Sequence, residues 1–415
     1  MTRTKWLSLV LSFATLIVVL STAAAPAAQK VTIRMANWQF LEPGRVDILN
    51  TFISEFEELN PGVEIVPEAI PYSTYNEKIM NELKSGQGPD IFFCQEFSLI
   101  PWIQDGYAAP LDNLIDLSKY EFLPQQSSAV VDGKTYAVLY EGFPYGGMIC
   151  NMKLFKEAGV EIPKTPEELI TAAQKLTKSP SQWGLAHPFA FGNYSYIMQG
   201  GMIVIKGFGG KIVEDDGTIG VDSPEFIKGV EYLKKLYDSG GVPKGTEFRQ
   251  QRQWFTEGNV AMVMDGCYWP LIVKAENPEL YDHLEVAALP FPNPASPYET
   301  NWYVISESSR NKEIAAKFLE YLLTESVQDR WAVASGMGTG CAFTLDSVNK
   351  EYPWFKVYSD ASPYGVVRIY SGLERQTVQA RKMVSDAICE VLIGKKTAPQ
   401  AMADLKAQLL ALKDR

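Results

Sequence analysis

Val31-Thr32-Ile33-Arg34-Met35-Ala36 opens the most informative run of the chain, an alternating apolar stretch that reads as a β-strand. Ten residues later Val46, Ile48, Leu49, Phe52, Ile53 and Phe56 recur at helical spacing, and Asn60-Pro61-Gly62 ends that helix. Val63 to Pro67 is the next strand. A helical pattern from Ser73 to Leu83 follows, then a break over Gly86 to Pro89. Asp90 to Cys94 is apolar enough to be a strand buried on both faces. Strand, helix, strand, helix, strand is the unit of a doubly wound α/β lobe.

Toward the C-terminus, Asp132-Gly133 signals a hairpin between Ala129 to Val131 and Thr135 to Leu139, which marks the edge of this first block. A second block then repeats the texture. It has strands at Met148 to Cys150, Trp183 to Ala186 and Ala261 to Met264. Helices are expected from Thr165 to Thr177 and from Tyr194, Ser223 and Gln250 onward. Pro290 to Pro297 holds four prolines and reads as a crossover, because proline continues neither a helix nor a central strand. Beyond it come a strand at Trp302 to Ile305, helices over Asn311 to Leu323 and Glu325 to Ala334, and a break at Gly336 to Gly340. Two amphipathic helices, Gly372 to Leu392 and Thr397 to Leu412, close the chain.

The 415 residues suffice for two or three domains, and 46% hydrophobic with 21% charged residues is a globular composition. A net charge of -11 argues against nucleic acid as a partner, since phosphate neutralisation needs a basic stripe. Upstream of the first strand, Arg3 and Lys5 precede an uncharged run from Trp6 to Leu20 and a small-residue stretch from Ser21 to Ala28. That is the three-part pattern of an export signal over residues 1–28, with cleavage after Ala24 or Ala27. The remainder is expected to be exported to the periplasm as a soluble protein. Five cysteines, an odd number, leave at least one unpaired within the chain. They read either as small buried hydrophobes or as one disulfide plus free thiols. His187 and His283 stand apart with no ligand spacing, so no metal and no cofactor is expected.

Several segments, in order, resemble the extracellular solute-binding proteins of the sugar-binding class, the receptors of ATP-binding-cassette importers. They include Phe56-Glu57-Glu58-Leu59-Asn60-Pro61-Gly62-Val63, Gly88-Pro89-Asp90-Ile91-Phe92 and Gly106-Tyr107-Ala108-Ala109-Pro110-Leu111-Asp112. Tyr145-Gly146-Gly147-Met148-Ile149-Cys150-Asn151, running into Leu154 to Gly159 and Pro163 to Leu169, is similar to the same family, as is Phe255 to Met262. The chain departs from the pattern at Cys150, where Tyr is usual, at Pro166, where Trp is common, and at Glu299-Thr300-Asn301-Trp302, where a Gly pair often stands. The resemblance implies two doubly wound α/β lobes joined by a multi-segment hinge, the periplasmic-binding-protein-like type II fold. Residues 29–140 and 296–340 would form one lobe, and 141–295 and 341–415 the other. Hinges are expected near Glu141, Pro292 to Pro297, and Gly338 to Phe343. The function it implies is capture of a carbohydrate or polyol between the lobes and delivery to membrane permease subunits, by a monomer without enzymatic activity.

A sugar offers hydroxyls at its edge and C–H patches on its faces, so its receptor needs fixed polar groups and planar aromatics. Open α/β sheets place ligands beyond the carboxyl ends of their strands, and the residues there supply both. Trp38 and Gln39 follow the first strand, and Glu96 and Phe97 follow the third. Asp265, Gly266, Tyr268 and Trp269 follow the strand at Ala261 to Met264, where the resemblance also places ligand contacts. Glu141 and Tyr145 lie at the first crossing. Trp302 stands in the late strand beside Tyr303, where alternation sends one of the two into the core. Tyr364 and Arg368 precede the last helices. Each has a plain structural alternative: Trp38 as a seal on its lobe, Glu96 as a helix-start carboxylate, Arg368 as half of an ion pair. Two other classes share these residues. One is the same fold holding an acidic ligand, a uronate or glycerophosphodiester, with Arg368, Arg249 or Arg252 as charge partner. The other is a secreted glycosidase or lyase with paired carboxylates among Glu96, Glu141 and Asp265.

Overall fold

The computed structural model describes residues 30–414 except Pro43 and Asn193, so the export signal over 1–28 lies outside the described residues. The strands are β1 (Val31–Asn37), β2 (Val63–Ala69), β3 (Ile91–Gln95), β4 (Val130–Val131), β5 (Lys134–Thr135), β6 (Val138–Pro144), β7 (Gly147–Asn151), β8 (Trp183–Ala186), β9 (Val260–Asp265), β10 (Leu284–Ala288), β11 (Ser296–Ile305) and β12 (Gly365–Val367). Six of them make a mixed sheet in the order β12-β11-β3-β1-β2, with β6 on the other side of β11. A second sheet has the order β10-β7-β9-β8. In the first lobe, α1 (Val46–Leu59) buries Leu49, Phe52, Ile53 and Phe56 on one stripe, as its spacing requires. Between β2 and β3 runs α2 (Tyr72–Lys84), and α3 (Glu96–Gln104) leaves the end of β3 directly.

Two large cores result. One gathers Phe52, Phe92, Phe93, Tyr140, Trp302 and Trp331 around the first sheet. The other gathers Met148, Phe155, Phe189, Phe226, Tyr358 and Leu405 around the second. Each fully buried large apolar side chain contributes about 1.5–3 kcal/mol against the entropy of ordering it. The fold is therefore two α/β lobes with mixed sheets.

The lobes are joined by several strands of chain that run side by side. Segment 338–341 lies against β6: Gly142 N–H donates to the Gly338 carbonyl at 3.3 Å and Gly340 N–H to that of Tyr140 at 3.1 Å. A methyl group on Gly340 would lie 1.8 Å from the Leu139 carbonyl oxygen, so the close passage requires glycine there. The two cores interleave around 331–341. Trp331 and Cys341 belong to the first core, Ala332 and Met337 to the second, and β12 returns to the first sheet beside β11.

The Asp132-Gly133 turn has both residues at positive φ, 50° and 75°, which suits the twist of a two-residue hairpin. The proline-rich crossover is shorter than the sequence suggests: Ser296 and Pro297 already belong to β11, and Pro297 pairs with Val366 at its outer end. None of the five cysteines is paired, and all but Cys389 are buried.

Candidate functional site

Backbone register decides what meets at the junction of the lobes. β1 and β3 run parallel and end at Asn37 and Gln95. β11 lies antiparallel between β3 and β6, with Asn301 opposite both Gln95 and Glu141. In the second sheet Asp265, the last residue of β9, pairs with Gly147, the first of β7. Only Tyr145 and Gly146 separate β6 from β7. The carboxyl ends of strands from both sheets thus face one cleft at the first crossing, the place open α/β sheets reserve for ligands.

Three polar clusters occupy it. In the first, Gln39 Nε2 donates to both oxygens of Glu141, at 2.8 and 3.0 Å, and Asn301 Nδ2 donates to Glu141 Oε2 at 3.0 Å. Asn37 Nδ2 donates to Gln39 Oε1 at 3.1 Å and to the Tyr303 hydroxyl at 3.0 Å. Burial raises the Glu141 pKa, while the charge of Arg45 and the two amide donors pull it back.

In the second cluster, Arg368 Nε donates to Glu96 Oε1 at 2.5 Å and its Nη2 lies 3.1 Å from Glu299 Oε2. Glu96 is wholly buried at the start of α3, and the Thr300 N–H reaches its other oxygen at 3.4 Å. Burial raises the Glu96 pKa, and neighbouring Glu299 adds to the rise, against the pull of Arg368. In the third, Arg252, on the helix Phe248–Thr256, grips Asp265 as a fork: Nε to Oδ2 at 2.8 Å and Nη2 to Oδ1 at 2.9 Å. The Gly266 N–H adds a bond to Asp265 Oδ1 at 2.7 Å, the Tyr268 hydroxyl donates to it at 3.2 Å, and the Arg252 guanidinium lies 5.2 Å from the Trp269 ring.

Tyr145 ties the second cluster to the third. Its hydroxyl donates to Glu299 Oε2 at 2.8 Å, and Phe143 packs on the Tyr145 and Tyr268 rings at 5.7 and 5.5 Å. The pairs from Glu96 through Arg368 and Glu299 to Tyr145 in this way meet, across the Phe143 ring, those of Tyr268 and Asp265 in the other lobe.

Of the residues singled out from the sequence, Gln39, Glu96, Glu141, Tyr145, Asp265, Gly266, Tyr268, Trp269 and Arg368 are brought together here. Four are not. Trp38 packs edge-on to Tyr72 and Tyr75, at 5.5 and 4.9 Å, and tilts against Phe93, inside the first core. Trp302 is wholly buried in the same core and donates its indole N–H to Thr300 Oγ1 at 3.0 Å, because alternation points residues 300 and 302 away from 299 and 301. Tyr303 is just as buried, so alternation did not spare one of the pair. Phe97 is half-buried on α3 outside all three clusters, and Tyr364 is 55% exposed on the short turn Ser362–Tyr364.

Sequence reasoning left out Glu299 and Asn301, although the departure at 299–302 was visible. Two polar residues two apart in an otherwise apolar strand were the signal. Arg252 entered only as a partner for an acidic ligand, and the structure gives it to Asp265 instead. Arg249 is exposed.

The arrangement offers carboxylates held by donors, arginine forks and tyrosine hydroxyls. Asn301 Oδ1 and Trp269 Nε1 are buried with no hydrogen-bond partner among the described residues. Groups that both donate and accept, as hydroxyls do, suit such a lining.

The model of the bacterial extracellular solute-binding proteins matches residues 43–329 of the chain. A binding protein of Brucella abortus is 26% identical over 300 residues, covering 68% of this chain and 69% of that one. Among solved structures, the GacH receptor of Streptomyces glaucescens, known unliganded and with acarbose, superposes with a TM-score of 0.80 at 22% identity, covering 93% of this chain and 99% of that one. A solute-binding protein of an ABC transporter from Thermotoga lettingae, bound to α-D-tagatose, gives 0.79 at 22% identity, with 92% and 100% covered. The family is one of binding proteins, not enzymes, and the chain belongs to the bacterial extracellular solute-binding proteins.

Proposed function

We propose that this protein is the receptor of an ATP-binding-cassette importer that captures a sugar, sugar oligomer or polyol in the cleft and delivers it to membrane permease subunits. The observation that carries this reading is the lining: buried amides, carboxylates and tyrosines from both lobes meet at the strand ends, with unmet hydrogen bonds at Asn301 Oδ1 and Trp269 Nε1. The similarity to receptors whose structures contain acarbose and α-D-tagatose points the same way. Gln39, Glu96, Glu141, Tyr145, Asp265, Gly266, Tyr268, Trp269 and Arg368 are the ligand-binding set, joined by Asn37, Glu299, Asn301 and Arg252. Residues 1–28 direct export to the periplasm, where the protein works as a monomer. The bodies that close on the ligand are 29–140 with 296–340, and 141–295 with 341–415, except that β12 moves with the first. A thermal-shift screen of the refolded, ligand-stripped protein against neutral sugars, polyols and sugar acids tests the reading. Ligand at a thousandfold excess over Kd adds about 4 kcal/mol to native stability. No shift with any of them refutes it.

A further inference from the structure

Arg381 lies in the first half of the helix Thr377–Leu392 and is only 6% exposed. Its guanidinium carbon stands 5.8 Å from the centroid of the Tyr194 ring, at the start of the helix Tyr194–Gly207 in the second lobe. Its charge reaches Glu96 at the start of α3 in the first lobe, and Tyr370 in the return segment. It therefore stands near Glu96, on the second-lobe side of the Glu96–Arg368 pair. Yet Arg381 Nε is buried without a hydrogen-bond partner, and no ion pair of this side chain exists among the described residues.

The contrast with the other charged groups is sharp. Arg252 is held by Asp265, and Arg368 by Glu96 and Glu299. Glu82 also has an oxygen without a hydrogen-bond partner, but Arg34 and Lys78 lie beside it. Lys206 is buried as well, and burial pulls its pKa down to about 7, so it can shed its proton. An arginine has no such escape, because its guanidinium keeps its charge at any pH a protein meets. A buried cation without an ion-pair partner is costly, and the Nε–H without an acceptor adds to that. Neither polar aromatic near it, Tyr194 or Tyr370, accepts a hydrogen bond from its Nε.

We infer that the ligand is an acidic sugar and that Arg381 is the residue that takes its carboxylate. This rests on the sugar-receptor reading above and narrows it. A planar pair of oxygens matches the guanidinium fork, and its charge supplies a counter-ion of its own for Arg381, since Glu96, the carboxylate it reaches, is already held by Arg368. A hydroxyl accepts from a guanidinium too, but leaves the buried charge unmatched. The acidic ligand weighed from the sequence had Arg368, Arg252 or Arg249 as its partner. Two of these are spent on carboxylates and the third faces solvent, which leaves Arg381.

Calorimetric titration of the ligand-stripped protein with glucose, galactose, glucuronate, galacturonate and sn-glycerol 3-phosphate tests the inference. The hexuronates are expected to bind at least 100-fold more tightly than their parent hexoses. Arg381→Met keeps the apolar stem and is expected to lose that 100-fold preference while the free protein melts no lower than the wild type, since an unpaired charge has been removed. Arg381→Lys keeps the charge but not the fork and should recover only part of the affinity. It also stands in if the Met variant fails to fold. Tighter binding of hexoses than of hexuronates, or hexuronate affinity unchanged in both variants, overturns the inference and leaves the receptor reading intact. Binding of the phosphate ester alone overturns the carboxylate assignment. If no sugar, neutral or acidic, binds the wild type, the receptor reading falls with it.

Discussion

At the scale of single residues the cleft is a set of charges that hold one another. Asp265 is wholly buried and Arg252 is its fork partner, so Asp265→Asn strands a guanidinium among Tyr145, Tyr268 and Trp269. Removing one partner of such a pair costs about 3–5 kcal/mol, most of it the penalty for the cation left behind. Urea unfolding should show that loss in Asp265→Asn, whereas replacing both, Arg252→Met with Asp265→Leu, should restore much of it. Equal losses in the single and double variants would refute the pair's role. Sequence reading finds Asp265 from its place after a strand and Arg368 from its place before the last helices. It did not find the pairing, because which arginine meets which carboxylate depends on helix orientation, and the spacing of residues along the chain does not carry that. Trp38 reads as a ligand platform after the first strand and Trp302, within the late strand, as a lining of the cleft, and the core claims both. A large ring next to a sheet end serves either purpose, and only packing decides.

At the scale of elements, the legible parts were those with a strong period or an unambiguous stop. α1 and its Asn60-Pro61-Gly62 ending, the Asp132-Gly133 turn, and Trp183–Ala186 as a strand all read directly from the chain. β10, Leu284–Ala288, did not, since Glu285 and two alanines give it little β preference and it forms by pairing with β7. The end of β8 carries a titration that the sequence alone did not reveal. His187 is 2% exposed, its Nε2 has no partner among the described residues, and burial holds its pKa down at about 3. An unfolded histidine takes up its proton near pH 6.5. Between those values the unfolded chain binds a proton that the folded chain refuses, so stability falls as pH drops through that window and is untouched above it. The slope from this one group is about 1.4 kcal/mol per pH unit at most. His187→Met should remove that slope in unfolding measured from pH 7 to pH 4. An unchanged slope would mean that the folded protein protonates His187 normally. The narrow passage at Gly340 gives a second expectation at this scale. Gly340→Ala drives a methyl into the Leu139 carbonyl and should cost more than the 1–3 kcal/mol typical of overpacking.

For the whole molecule, the decisive feature is that both lobes are built from discontinuous pieces and meet at the polar clusters of the first crossing. Two lobes with several crossings were readable from the alternation of strands and helices and from the proline-rich break. The interleaving at 331–341 and the return of β12 were not, because a three-residue strand has no periodicity to detect. Tyr145 sits at that crossing, bonded to Glu299 of β11 and packed on Phe143, whose ring also meets Tyr268 of the second lobe. Closure around a hinge is favoured by contacts that exist only when the lobes meet, and the equilibrium moves by the energy those contacts supply. Tyr145→Phe keeps the ring packed against Phe143 but removes the hydroxyl bond to Glu299, at about 1–3 kcal/mol since the partner is charged. Small-angle scattering should then find the free variant more expanded than the free wild type. Saturating sugar should bring both to the same compact radius, with a Kd for the variant raised about 5- to 100-fold, because the ligand must now supply the closing energy itself. Identical radii in the free proteins together with an unchanged Kd would show that Tyr145 contributes nothing to closure, and would move the hinge's control to the passage of Gly338 and Gly340 beside β6.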